Sequence, residues 1–314
     1  MAVTRKQVWV EMLLYPAHTL PTAAAPVAVA IGLAVRDHVL ALGPALAALL
    51  AGWLVQLGGV FTDNYYNLSR HPDDDEHAQF VEAVNTGVIS LAEIRRANYA
   101  TFAVAVLAGL YLVGVAGWPV VYIGLASIAG ALAYSAGPFP LGDNGLGDVL
   151  FFVFFGPVQV LATYYVQAAS RLGRGAGAVL PTWFAPGTVT SAALQVSLPV
   201  AALTVVILVI DNIRDLEYDR AKGEKTLAVI IGPFWSRVQY TAMVAFGFAM
   251  PFWFRFGLGF GWAVLLPLLS LPFAIAVARR VWRSKTHEEM IPLTPAQGRV
   301  LVLYCVLLAV GVAR

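Results

Sequence analysis

Apolar residues run along this 314-residue chain in long unbroken stretches instead of alternating with polar ones. Nine stretches stand out: Thr19–Val35, Val39–Phe61, Tyr99–Gly117, Trp118–Gly137, Val149–Ala169, Val189–Ile210, Val238–Phe254, Leu258–Ala278 and Val300–Ala313. Barrel strands would change sides every second residue, so continuous runs predict helices. Roughly 20 apolar residues in a helix cross a hydrocarbon core of about 30 Å, and the last stretch is the shortest against that measure. The pattern therefore predicts an all-α polytopic membrane protein with nine transmembrane helices. Gly156-Pro157 and Pro199 fall inside stretches and predict kinks that neighbouring helices cover.

Composition narrows the class further. With 59% hydrophobic residues, 12% charged ones and a mean hydropathy of +0.74, the chain cannot bury its apolar surface within a water-facing fold. Its outer surface is expected to face the lipid bilayer. The lone cysteine, Cys305, lies in an apolar stretch, which excludes a disulfide framework and a thiolate metal site and leaves packing as its role. The first residues, Met1 to Met12, lack the pattern of a cleavable leader, so insertion is expected to use the first span.

Charge placement orients the bundle. Nine spans put the N-terminus on one side with Arg70, Arg95, Arg96, Arg214, Arg220, Lys222, Lys225, Arg237, Arg279, Arg280, Arg283, Lys285 and Arg299, a side the positive-inside rule makes cytoplasmic. Of the acids, Asp37 alone falls opposite. Carboxylates contribute little to orientation, so both signs on one face suggest a polar site there, although longer and better solvated loops would also collect charge.

Two polar segments on that face, Thr62–Asn98 and Asp211–Arg237, are read as loops four helices apart. Asp63-Asn64-Tyr65-Tyr66-Asn67-Leu68 aligns with Asp211-Asn212-Ile213-Arg214-Asp215-Leu216 at Asp, Asn and Leu, with Asn67 opposite Asp215 and His71 opposite Asp219. The register suggests a worn internal repeat, a device transporters also use. The domain reading is one unit over residues 1–314, built of two worn four-helix halves with motifs at 63–76 and 211–225.

Asp211, Asp215 and Asp219 recur every four residues, which on a helix stacks them along one face. Three like charges so placed repel unless a cation joins them, and hard carboxylate oxygens suit Mg²⁺, which bridges one or two carboxylates to substrate phosphates. Asn64, Asn67 and Asn212 could add neutral oxygens. Arg214, Arg220, Lys222 and Lys225 stand among the acids, able to hold phosphate oxygens, Arg in a fork and Lys as a point charge. A solvated helix face laced with salt bridges has the same composition; a second related motif on the same side favours a diphosphate site.

With these motifs the sequence resembles the UbiA-type intramembrane aromatic prenyltransferases, which carry an Asn/Asp-rich motif after the second helix and a DxxxD motif after the sixth. It looks most like the dihydroxynaphthoate branch of menaquinone synthesis. The closer match lies in YSAGPFPLGDNGLGD from Tyr134 to Asp148, FFGPVQVLATYYVQ from Phe154 to Gln167, and DNIRDLEYDRAKGEKTLAVIIG from Asp211 to Gly232. His18-Thr19-Leu20-Pro21 and Ala25-Pro26 echo the same group.

The resemblance implies a single bundle around a central cavity open to lipid, in the cell inner membrane, with the active-site loops and N-terminus cytoplasmic. It implies Mg²⁺ held by Asp63, Asn64, Asp211, Asp215 and Asp219, the catalytic set, with Asn67, Asp73, Tyr134, Asn212, Arg214, Arg220, Lys222 and Lys225 around the substrates. Those substrates are a polyprenyl diphosphate and a small aromatic acceptor, 1,4-dihydroxy-2-naphthoate in this branch, with carboxylate loss accompanying prenylation. Nucleic acid is not an expected partner.

The first motif departs from the family order: Asp63-Asn64 stands where relatives read Asn-Asp, and Asn67 where they carry Asp. The acids Asp73, Asp74, Asp75 and Glu76 follow, either restoring metal binding or forming a solvated turn. Tyr15-Pro16 replaces the Arg-Pro that relatives commonly carry. A terpene cyclase, a prenyltransferase for another acceptor, and a repeat-built transporter or lipid-binding protein are the alternative readings.

Overall fold

In a computed structural model, which describes residues 4–14, 19–73, 78–172 and 183–314, every regular element is helical. The chain runs through α1 (Arg5–Leu14), α2 (Thr19–Arg36), α3 (Leu42–Arg70), α4 (Ala78–Asn85), α5 (Leu91–Ala116), α6 (Pro119–Ser135), α7 (Gly147–Val153) and α8 (Gln159–Arg171). It continues through α9 (Ser191–Arg214), α10 (Leu216–Lys222), α11 (Leu227–Phe256), α12 (Leu271–Arg283), α13 (His287–Met290) and α14 (Leu293–Val312). The larger part of each predicted stretch lies on helix, while ends such as residues 39–41, 189–190 and 258–261 do not. Among the described residues, six helical runs are long and apolar enough to cross a membrane, including Gly142–Arg171, Ser191–Arg214 and His287–Val312. The last predicted stretch thus belongs to a longer helix than its apolar core indicated.

Helix starts and breaks follow local chemistry. Ser90 caps α5 by a reciprocal pair of bonds with Glu93, and Thr190 caps α9 through the amide of Ala193. Pro157 brings no N–H to the ladder, and the chain answers with a π-turn over Phe154–Val158 between α7 and α8. Gly223 closes α10 in the left-handed conformation, φ +79°. A 3₁₀ segment, Trp262–Ser270, leads into α12.

α9 is the central helix: 83% of its apolar window is buried, against 22% for α3 and for α5. It packs along α11 and α14, while α3 packs along α5 and α6, and α14 returns to lie along α2. Gly32 on α2 makes that last contact possible, since a Cβ there would strike the Ala309 backbone. α5 and α6 turn Leu107, Leu110, Tyr122 and Leu125 outward, the face expected of helices in lipid.

Both segments read as loops from their polarity are largely helix. α3 carries on through Asp63 and Asn67 to Arg70, and α9 runs through Asp211 to Arg214. Hydropathy marks where apolar residues end, whereas the helix ends where hydrogen bonding or Pro72 stops it.

Candidate active site

The site is built where the ends of α3, α9 and α10 meet the connection between α6 and α7. On the last turns of α3, Asp63 accepts a hydrogen bond from Ser135 Oγ of α6 at 2.6 Å and one from Asn67 Nδ2 at 3.4 Å. Asn64 spends its amide N–H on the Val60 carbonyl at 2.9 Å, so the atom it offers to a cation is Oδ1. Arg70, at the helix end, donates to the Gly137 carbonyl at 2.6 Å and lies 3.5 Å from Asp143.

The second motif is tied together by Arg214. Its Nη1 meets Asp211 Oδ1 at 2.6 Å, while Nε and Nη2 fork onto Asp215 at 2.7 and 2.5 Å. The guanidinium thus offsets the repulsion that the four-residue spacing creates. Asp215 marks the junction of α9 and α10, and Asp219, on α10, accepts from Thr226 Oγ1 at 2.8 Å. Thr294 of α14 donates to Asp211 Oδ1 at 2.6 Å, and His287 Nδ1 lies 3.3 Å from Asp215 Oδ1.

The α6–α7 connection joins the two motifs. The Lys225 amide donates to the Asp143 carbonyl at 2.7 Å, and His71 lies 4.0 Å from Glu224. Asp143 is within electrostatic reach of Asp63, Arg70 and Lys222. Tyr134, on α6, lines the same cavity as Asp63 and lies within electrostatic reach of Asp63, Asp148, Asp143 and Asp211. The glycines of the motif are what let its ring sit there: a Cβ at Gly142 would come within 3.0 Å of the ring, and one at Gly147 within 3.4 Å.

Below this polar end, a cavity of about 470 Å³ lies between α3, α5, α6 and the α7–α8 run. Its walls are aliphatic and aromatic, including Phe151, Phe154 and Phe155, with Gln56, Asp63, Ser127, Tyr134, Gln159 and Thr163 as the polar lining. Asp63 is the one charged residue among the described residues that line it.

Other predicted residues stand apart. Arg220 is turned to Glu217 at 3.0 Å on the exposed side of α10, and Asp73 lies in an exposed turn after α3. Asn212 is half-buried on α9. Tyr15, Pro16, His18, Asp74, Asp75, Glu76 and His77 lie outside the described residues. Ser135, Thr294 and His287 were not singled out from the sequence. They hold motif acids from helices 72 to 83 positions away, a separation no local pattern bridges.

The donor set fits a hard divalent ion. It consists of carboxylate and amide oxygens, while the thiol of Cys305 is buried in α14. Among the described residues no three acid, histidine or cysteine side chains converge as a closed cage. One or two carboxylates drawn from the two motifs, completed by water and phosphate oxygens, is the arrangement Mg²⁺ ordinarily accepts.

Comparison with known proteins decides the family. Residues 23–294 match the model of the UbiA prenyltransferase family. The chain belongs to that family and is a prenyltransferase. It is 29% identical to the 1,4-dihydroxy-2-naphthoate octaprenyltransferase of Mycobacterium tuberculosis, over 94% of this chain and 94% of the relative. Its fold is similar to the apo structure of a UbiA homolog from Aeropyrum pernix K1, with a TM-score of 0.66 at 17% identity over 90% of this chain and 94% of that one. It is also similar to a UbiA homolog from Archaeoglobus fulgidus bound to GPP and Mg²⁺, with a TM-score of 0.60 at 15% identity over 95% and 98% of the two chains.

Proposed function

We propose that this prenyltransferase moves a polyprenyl group from its diphosphate to 1,4-dihydroxy-2-naphthoate with Mg²⁺, as one domain of nine spans and two worn halves, its site facing the cytoplasm. The carrying observation is the apolar cavity whose polar end holds Asp63 beside Tyr134. Its volume lies in the range of small-molecule sites, roughly 300–1,000 Å³. The naphthoate relative and the neighbour bound to GPP and Mg²⁺ support the choice of substrates and ion.

In this reading Asp63 and Asn64 from α3 and Asp211, Asp215 and Asp219 from α9–α10 hold the ion. Mg²⁺, when bound, offsets the charge that the departing diphosphate takes up. Lys222 and Lys225 reach the phosphate oxygens, and Arg214 keeps Asp211 and Asp215 in place beside them. The aromatic faces of Tyr134, Phe151 and Phe154 exclude water and face the electron-poor allylic carbon as its C–O bond breaks. The electron pair of that bond leaves with diphosphate, the acceptor ring supplies the pair for the new C–C bond, and the pair of the ring–carboxylate bond restores the ring as the carboxylate departs as CO₂.

Incubating the purified chain with Mg²⁺, a polyprenyl diphosphate and dihydroxynaphthoate should give prenylated product and diphosphate in equal amounts. Diphosphate release without acceptor consumption would point to a cyclase, and no release under any condition would end the enzyme reading.

A further inference from the structure

We infer that Thr294 and His287 are positioning residues for the acidic motif, so that the connection from α12 to α14 forms a third wall of the active site. The inference rests on the role given above to Asp211 and Asp215. Neither residue belongs to a motif that the sequence displays, and each reaches a different acid from the same side.

Thr294 is buried at 1% exposure on the first turn of α14. Its Oγ1 donates to Asp211 Oδ1 at 2.6 Å, the same oxygen that takes Arg214 Nη1 at 2.6 Å. Two donors on one oxygen fix the plane of the carboxylate and therefore the direction of Oδ2. His287 works on the neighbouring acid. Its Nδ1 lies 3.3 Å from both Asp215 Oδ1 and the Arg214 carbonyl, and both are acceptors. Nδ1 must therefore carry a proton to bond either. Tyr218 of α10 stands edge-on to the imidazole at 5.3 Å and limits its rotation.

Outer residues that orient metal-binding carboxylates commonly carry 10- to 100-fold of metal affinity or activity. That scale sets the test, with two readouts on the full purified chain: the Mg²⁺ concentration that half-maximally raises the unfolding midpoint in the presence of inorganic diphosphate, and kcat against KM for the acceptor. Thr294→Val keeps the shape and removes the donor. It should raise the Mg²⁺ midpoint about 10-fold and lower kcat while KM for the acceptor holds, and Thr294→Ser should restore both. His287→Ala should act in the same direction, and His287→Asn, which returns a donor near the Nδ1 position, should recover most of the loss.

If Thr294→Val does not fold, the half-exposed His287 pair carries the test by itself. Removing either donor without moving the Mg²⁺ midpoint or kcat, in a chain whose wild type responds to Mg²⁺, overturns the positioning role alone. A wild type whose unfolding ignores Mg²⁺ overturns the metal reading and this inference with it.

Discussion

The ends of α3 and α9 hold related sequences and behave differently. The end of α9 and the short α10 after it carry three acids, bound by Arg214, by Thr226 at the start of α11, and by side chains from α13 and α14. α3 ends in one acid held by Ser135 and Asn67. From the sequence the α9 copy is the complete one and the α3 copy the worn one. Yet Asp63 alone of these acids lines the cavity, and Asp211, Asp215 and Asp219 are not among its lining residues. Carboxylate count and nearness to the cavity are thus divided between the two motifs. Such a division suits a site in which one motif anchors the ion and the other meets the reacting end of the substrate.

The largest expected effect tests that division. Asp215→Ala removes an anchor and the two-pronged fork that Arg214 makes on it, and prenyl transfer should fall at least ~100-fold, the scale for losing one preorganised electrostatic group. Asp63→Ala should cost about 10-fold less than that, because Asn64 still offers an oxygen on the same helix end. Turnover measured at saturating Mg²⁺, with unfolding midpoints to confirm that both variants fold, compares them. A larger loss at Asp63 would reverse the ranking and make the cavity-facing acid the principal ligand.

Two glycines set the same helices, and their substitution should separate them by stability. A Cβ at Gly156 would come within 2.9 Å of Ala201 Cα and 3.1 Å of the Ser197 carbonyl, both backbone of α9. Gly156→Ala must therefore push the central helix aside, at a cost of about 1–3 kcal/mol. At Gly58 the obstacle is the Phe102 ring, within 2.6 Å of an added Cβ, and a side chain can turn where a backbone cannot. Gly58→Ala should cost less, about 1 kcal/mol. Unfolding midpoints of the two variants in one detergent read the difference directly, and equal losses would mean that α9 is no more tightly held than α3.

Much of this was legible in the residues, for a physical reason in each case. Lipid demands continuous apolar helices, so the stretches and the helical class could be read directly. Crowded acids among bases marked the second motif, because that composition is unfavourable without a ligand. Helix ends were less legible: apolar residues stop near Phe61 and Ile210, but hydrogen bonding carries α3 to Arg70 and α9 to Arg214. The partners of the acids were hidden altogether. Ser135, Thr294 and His287 are ordinary residues whose meaning comes only from the packing of α6, α13 and α14 against the motifs.

The smallest effect comes from making the two motifs alike. Asn67 now donates to Asp63 across one turn at 3.4 Å, where the α9 copy has its second acid. Asn67→Asp replaces that donor with a like charge at i,i+4, which should cost about 0.2–0.5 kcal/mol without Mg²⁺. A cation between the two carboxylates turns the repulsion into attraction, so the same variant should gain more stability from Mg²⁺ than the wild type does. The comparison to make is the shift in unfolding midpoint between EDTA and saturating Mg²⁺ for both chains. A larger shift in Asn67→Asp would mean that the α3 end lies at the ion and lost a ligand there. An equal shift, with the variant weaker in both buffers, would mean that Asn67 serves only to hold Asp63 towards the cavity.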